Sequence, residues 1–201
     1  MSFGLRNFVH MNRKSIALFA SGNGSNAVNL IHFFRDHPQI EVKMLVCNKE
    51  DAPVVSKARS LGIEVLTFSN EAFESGLTVL QELDYRAIDW IILAGFLRKI
   101  PVNIIHGFQD RIINIHPSLL PKFGGKGMYG KYVHMAVIEA KENQSGISIH
   151  LVNEEFDKGK ILAQFETSVT PEDTVDSLAE KIHQLEHKHF PIIAERTILN
   201  S

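Results

Sequence analysis

The chain has 201 residues, 44% of them hydrophobic and 22% charged, which is ordinary for a globular protein long enough to bury a substantial core. A formal net charge of −2 provides no broad basic field of the kind nucleic-acid binding needs. The single cysteine, Cys47, excludes an intrachain disulfide and a cysteine-rich zinc site and fits a reducing compartment, and no apolar run approaches the ~20 residues of a membrane span.

Met1 to Asn12 reads as a loose extension, with Met11 as a second candidate start. Arg6, Arg13 and Lys14 precede the apolar run Ile16 to Ala20, but that run is shorter than the ~7–15 residues of a signal-peptide core. Ser15 to Ala20 is therefore expected to be a first strand. The turn Ser21-Gly22-Asn23-Gly24-Ser25-Asn26 follows. After it, Val28, Ile31 and His32 fall on one helical face, widened by Leu30, Phe33 and Phe34. A strand, a glycine turn and a helix in this order leave free N–H groups at a positive helix end, which suits a phosphate. The turn is neither G-x-G-x-x-G nor a P-loop, and a plain tight connection fits its residues too.

Val42 to Cys47 reads as the second strand. Pro53 opens the next helix, whose inward residues are Val54, Val55, Ala58 and Leu61, and Gly62 caps its end. Ile63 to Leu66 is a short strand. Glu71 to about Arg86 is expected to be one polar helix with Phe73, Leu77, Leu80 and Leu83 inward. Trp90 to Ala94 is a continuous apolar strand, as a sheet covered on both faces requires. Pro101 opens a short helix, and Arg111 to Ile115 is the next strand. The alternation to this point is that of a doubly wound parallel sheet.

The remainder differs. Lys122 to Lys131 holds Gly124, Gly125, Gly127 and Gly130 and reads as a mobile loop. Tyr132 to Ala140 is expected to be helical. In Gly146 to Asn153 the apolar Ile147, Ile149 and Leu151 alternate with Ser148, His150 and Val152, as in a strand. Ile161 to Val169 pairs with it as an antiparallel hairpin. Thr170-Pro171 starts a last long helix with Val175, Leu178, Ile182 and Leu185 on its buried stripe.

Asn114 and His116 lie two apart near a strand's C-terminal end, so their side chains share a face. Pro117 ends the regular pairing there, because it has no amide hydrogen to donate. In open α/β sheets ligands bind at that edge. The loops expected to meet there also carry Gly24-Ser25-Asn26, Leu97-Arg98 and Asp157. A phosphate cradle, an amide, an imidazole and a carboxylate in one cleft would suit acyl-type transfer. A protonated imidazole and an amide stabilise a developing oxyanion, and the carboxylate holds the imidazole charged. Ser118 beside His116 lacks the G-x-S-x-G elbow of a hydrolase. His183, His187 and His189 lie on the last helix without an H-E-x-x-H motif, so a packed or solvated face is the expectation for them. Glu186, beside them, reads from spacing alone as a surface carboxylate.

These residues resemble the folate-dependent formyltransferases from Ser15 to about Phe190. Four stretches carry the resemblance: Ser21 to Asn26, Leu93 to Arg98, Asn114 to Lys122, and Phe156 to Gln164. The resemblance implies an α/β fold: one Rossmann-like, mostly parallel sheet with helices on both faces and a C-terminal antiparallel hairpin. It places the formyltransferase domain at residues 15–201, after an extension of residues 1–14. It further implies that Gly24, Ser25 and Asn26 bind the ribose phosphate of glycinamide ribonucleotide and that Glu186 contacts the ribonucleotide. Leu97, Arg98, Lys99 and Ile100, with Asn153, Glu154, Glu155, Phe156, Asp157 and Asn114, would line the folate site. Asn114, His116 and Asp157 match the family's catalytic trio. The expected reaction moves the formyl group of 10-formyltetrahydrofolate to the ribonucleotide's amine, in purine synthesis, with no metal. The expected setting is a cytoplasmic monomer or homodimer with small-molecule substrates, no nucleic acid and no membrane.

Three departures from the family pattern stand out. The loop after Lys122 is longer and richer in glycine, Gly76 falls near a family arginine that touches folate, and Lys158-Gly159 replaces a Gly-Gly spacer. Two related enzymes share the catalytic domain, a tRNA-directed formyltransferase and a formyltetrahydrofolate hydrolase. Each is expected to carry a second domain. A non-catalytic nucleotide-binding module would keep the glycine turn and need neither His116 nor Asp157.

Overall fold

Seven strands form one sheet in a computed structural model that describes residues 13–201. Expectations about Met1 to Asn12, including the start at Met11, lie outside the described residues. The strands are β1 (Lys14–Ala20), β2 (Ile40–Cys47), β3 (Glu64–Thr67), β4 (Trp90–Leu93), β5 (Ile112–His116), β6 (Gln144–Leu151) and β7 (Ile161–Ser168). Their order is β3-β2-β1-β4-β5-β6-β7. The first five in that order run parallel, and β6 and β7 run antiparallel to their neighbours.

The helices are α1 (Ser25–Phe34), α2 (Pro53–Ser60), α3 (Asn70–Ser75), α4 (Leu77–Tyr85), α5 (Val102–Gly107), α6 (Lys131–Glu139) and α7 (Val175–Leu199). Strand alternation sorts them onto two faces. Ile16, Leu18 and Ala20 of β1 join the core beneath α1, α2, α6 and α7, whereas Ala17 and Phe19 join the one beneath α3, α4 and α5. The expected mostly parallel sheet, covered on both faces and ending in an antiparallel hairpin, is what forms.

Three local expectations change. The single helix from Glu71 to Arg86 is two, because Gly76 adopts φ +67° between them. Gly76 also packs against α5, where a Cβ would come within 2.2 Å of Asn103 Oδ1. The break turns Leu77 outward, to 62% exposure, and Val79 takes the buried position. On α1 the buried stripe is Ala27, Leu30, Ile31 and Phe34, whereas His32 and Phe33 face out. Thr170-Pro171 precedes α7 rather than opening it. Thr174 caps that helix, exchanging hydrogen bonds with Ser177, and Asp173 accepts from the amide of Thr170.

Candidate active site

The parallel strands end on one edge, and the cleft opens there. Its volume is about 410 Å³, and its walls come from the segment after β4, the end of β5, the glycine-rich loop before α6, and the β6–β7 connection. Leu97, Arg98, Lys99, Ile100, Asn114, Asn153, Glu154, Glu155, Phe156 and Asp157 all line it, together with His116 and His150. The rim exposes Leu97, Phe156 and Tyr129, and the Lys99 ammonium sits 5.7 Å from the centre of the Phe156 ring. Arg98 donates to Glu74 at 2.9 Å.

β5 is the seam of the sheet. It pairs with β4 in parallel and with β6 antiparallel, and its register sets Asn114 opposite His150 and His116 opposite Ser148. The turn after β5 is pinned from β6: Ser148 Oγ donates to the Ser118 carbonyl at 2.6 Å and accepts from the Leu120 amide at 2.9 Å. Gln164 of β7 donates to the same hydroxyl and to the Leu120 carbonyl. Ser118 is buried and donates to the Lys122 carbonyl, which removes it from any dyad with His116.

Asp157 arrives from the β6–β7 connection with φ +57°. Its position depends on Gly159, since a Cβ there would come within 1.7 Å of the Leu151 carbonyl. One carboxylate oxygen lies 3.6 Å from His116 Nδ1 and accepts from the Gly125 amide at 2.8 Å, and the other lies 3.6 Å from His150 Nε2. His116 Nε2 lies 2.8 Å from the Phe123 carbonyl. A carbonyl can only accept, so Nε2 carries a hydrogen.

Burial pushes His116 below the ordinary histidine value, against the opposing pull of Asp157 and the Phe123 carbonyl. Burial also pushes Asp157 upward, but the His116 charge and the Gly125 amide oppose it, and the carboxyl ends below its ordinary value. The pair thus keeps a firm carboxylate beside a ring whose proton is loosely held.

The glycine turn stands next to this cleft without lining it. Ser21 is tied to the cleft wall, its amide donating to the Gly95 carbonyl and its hydroxyl accepting from the Leu97 amide, each at 3.1 Å. Gly24 caps α1 with φ +74°, and a Cβ there would meet Val54 at 2.1 Å. The Ser25 and Asn26 amides lie in the first helical turn, where no intrahelical acceptor exists. Ser25 Oγ is 3.4 Å from His183 Nε2, and Asn26 Nδ2 donates to Glu186 at 2.8 Å.

Glu186 is a buried carboxyl, only 7% exposed, and not a surface one. Burial raises it above its ordinary value, against the Asn26 hydrogen bond and the His183 charge. Asn26 Oδ1 and His134 Nδ1 are buried without a hydrogen-bond partner. Neither His150 nor His134 emerges from motif reading. A signal for His150 was present in the sequence, because Ser148 and His150 repeat the two-residue spacing of Asn114 and His116 on the adjoining strand.

Among the described residues no group of three His, Cys, Asp or Glu side chains is placed to hold a metal, and no helix is long and apolar enough to cross a membrane. His189 stacks on Phe165 at 3.7 Å between ring centres, and the His183 and His187 rings lie 5.7 Å apart.

An α/β cleft at the edge of a mixed sheet, lined by Asn114, His116 and Asp157 beside the start of a helix, is the architecture of a transferase class. A family model described as formyl transferase matches residues 14–193, and the chain belongs to that family. It is 44% identical over 185 residues to the chloroplastic phosphoribosylglycinamide formyltransferase of Arabidopsis thaliana, a match covering 89% of this chain and 63% of the relative. The chain therefore spans somewhat less than two thirds of that plant protein's length. With phosphoribosylglycinamide formyltransferase of Bacillus subtilis it shares 32% identity over 190 residues, covering 92% of this chain and 95% of the relative. The crystal structure of phosphoribosylglycinamide formyltransferase from Bacillus halodurans superposes with a TM-score of 0.83 at 34% identity, covering 92% of this chain and 95% of that one.

Proposed function

We propose that this chain transfers the formyl group of 10-formyltetrahydrofolate to the amine of glycinamide ribonucleotide. The products are formylglycinamide ribonucleotide and tetrahydrofolate, and the step belongs to de novo purine biosynthesis. The observation that carries this reading is the convergence of Asn114, His116 and Asp157 on one cleft, next to a turn whose free amides suit a phosphate.

The folate occupies the 410 Å³ cleft, with its pterin between the Leu97–Ile100 and Asn153–Asp157 segments. The ribonucleotide phosphate lies on Gly24, Ser25 and Asn26, and Glu186 takes a ribose hydroxyl. The unpartnered Asn26 Oδ1 supports a polar ligand at that end. The amine attacks the formyl carbon, a C–N bond forms, and the carbonyl oxygen becomes an oxyanion. Asn114 and the His116 imidazolium stabilise that charge. To do so, the His116 Nε2 hydrogen is shared between the Phe123 carbonyl and the oxyanion. Asp157 favours the protonated ring of His116 against the pull of burial and passes on the amine's proton, through water, as the bond to folate N10 breaks and N10 is protonated. The folate is a cosubstrate consumed once per turnover, and no metal takes part.

The test is an assay with 10-formyltetrahydrofolate, offering glycinamide ribonucleotide in one arm and water alone in the other. Consumption that requires the ribonucleotide is expected. Equal consumption in water would overturn the reading in favour of a hydrolase. Binding of the ribonucleotide without turnover would leave a nucleotide-binding module. We place the enzyme in the cytoplasm as a monomer or homodimer, acting on small molecules with neither nucleic acid nor membrane. Cell fractionation with light scattering checks that setting.

A further inference from the structure

His150 has no role in the reaction as set out, yet it sits inside the trio. It is 2% exposed and faces Asn114 directly across the β5–β6 pair. Its Nδ1 lies 2.8 Å from the Leu151 carbonyl. That oxygen can only accept, so Nδ1 carries a hydrogen. In the neutral ring Nε2 is then an acceptor, and Asn114 Nδ2 lies 3.0 Å from it. The Asp157 carboxylate is at 3.6 Å, too far for a hydrogen bond, so Asn114 is the partner of this nitrogen.

The consequence concerns the amide. A free asparagine side chain can rotate by half a turn and offer either its oxygen or its nitrogen to a ligand. Only the nitrogen stabilises an oxyanion. With one Nδ2 hydrogen committed to His150, the orientation is fixed and the second Nδ2 hydrogen is left for the cleft. The ring is itself locked by its Nδ1 bond and by burial between the strands.

We propose that His150 is a positioning residue, whose Nε2 accepts from Asn114 and holds that amide with a donor aimed at the reacting formyl oxygen. This rests on the formyl-transfer reading of the cleft. His150 acts through Asn114 and does not itself touch the substrates.

The test uses two substitutions that differ in reach. His150→Gln places an acceptor oxygen near the old Nε2, whereas His150→Asn places its polar atoms near the old Nδ1 and cannot reach Asn114. Circular dichroism and thermal midpoints select folded variants. His150→Asn is expected to lower kcat about 10- to 100-fold with KM for both substrates within about 3-fold. His150→Gln is expected to recover to within about 5-fold of wild type. Asn114→Ala alone should cost about 100- to 1000-fold, as loss of an oxyanion donor does. In that background His150→Asn should cost less than about 3-fold, because the residue it positions is gone.

Side-chain amide and long-range imidazole nitrogen spectra read the contact without any turnover. They should show the Nδ1–H tautomer, and an Asn114 amide signal that shifts in His150→Asn and holds in His150→Gln. Equal losses in the Asn114 and Asn114→Ala backgrounds would overturn the proposal, as would the opposite tautomer. A wild-type protein that transfers no formyl group would instead sink the proposed reaction, and the spectra would still decide whether His150 holds Asn114.

Discussion

The parallel half of the sheet and its antiparallel addition bring different groups to one edge of the sheet. From the parallel half come backbone groups at strand ends: the glycine turn after β1, with its free amides, and the wall after β4. The antiparallel half supplies side chains that titrate or accept protons, His150 on β6 and Asp157 on the connection to β7. Asn114 and His116 belong to β5, which is hydrogen-bonded to both. Binding thus rests on geometry that a doubly wound sheet offers by default. The proposed acid–base groups rest on β5, on β6, the strand that runs against its neighbours, and on the connection from β6 to β7.

That division can be broken most severely at its seam. His116→Ala, or Asp157→Asn, should lower kcat by about 100- to 10,000-fold, the range for losing general acid–base help. Ribonucleotide binding, measured by calorimetry, should survive. Unchanged turnover would remove His116 from the mechanism. A less direct blow falls on the antiparallel half. Gly159→Ala forces the connection away from the Leu151 carbonyl and displaces Asp157. A displacement near 1 Å is expected to cost about 100-fold in kcat, with KM for the ribonucleotide little changed.

The parallel half answers differently. Gly24→Ala strains a left-handed turn and meets Val54. Its effect should fall on KM for the ribonucleotide, by about 10- to 100-fold, the equivalent of one or two charged hydrogen bonds. Steady-state kinetics separate the two outcomes, and a loss confined to kcat would contradict the division.

The smallest expected effect is one of stability. Burial, with His183 and His116 nearby, holds His134 below the ordinary histidine value of 6.5, and burial does the same to His116. The unfolded chain therefore takes up more protons than the folded one as pH drops past 6.5. Stability from this source is complete above that pH and is lost progressively below it. Thermal midpoints should fall on acidification, and fall less steeply in His134→Gln. An unaltered slope would show that His134 contributes nothing to it.

The strands were legible because each central one is a short apolar run, β4 being Trp90-Ile91-Ile92-Leu93. The hairpin was legible from the alternation around Ile147 and Ile149. The break at Gly76 was not, because a helix-compatible glycine became a turn where it meets Asn103 of α5 and the capping residue Pro101. No pattern within a single segment encodes that contact. The burial of Glu186 was hidden for the same reason. Its partner Asn26 lies 160 residues away, and only packing of α7 on α1 makes it a buried carboxyl. His150 carried only the two-residue spacing with Ser148, because a histidine in an alternating strand looks like any half-buried polar residue until the facing strand is known.

The Asn26–Glu186 contact carries a kinetic consequence. Its two halves are 160 residues apart, so this contact is among the most non-local arrangements of the described residues. Such closures come late in folding, after local structure has formed. A nascent chain would carry the glycine turn long before Glu186 emerged, so the proposed nucleotide site would stay incomplete until α7 had been made.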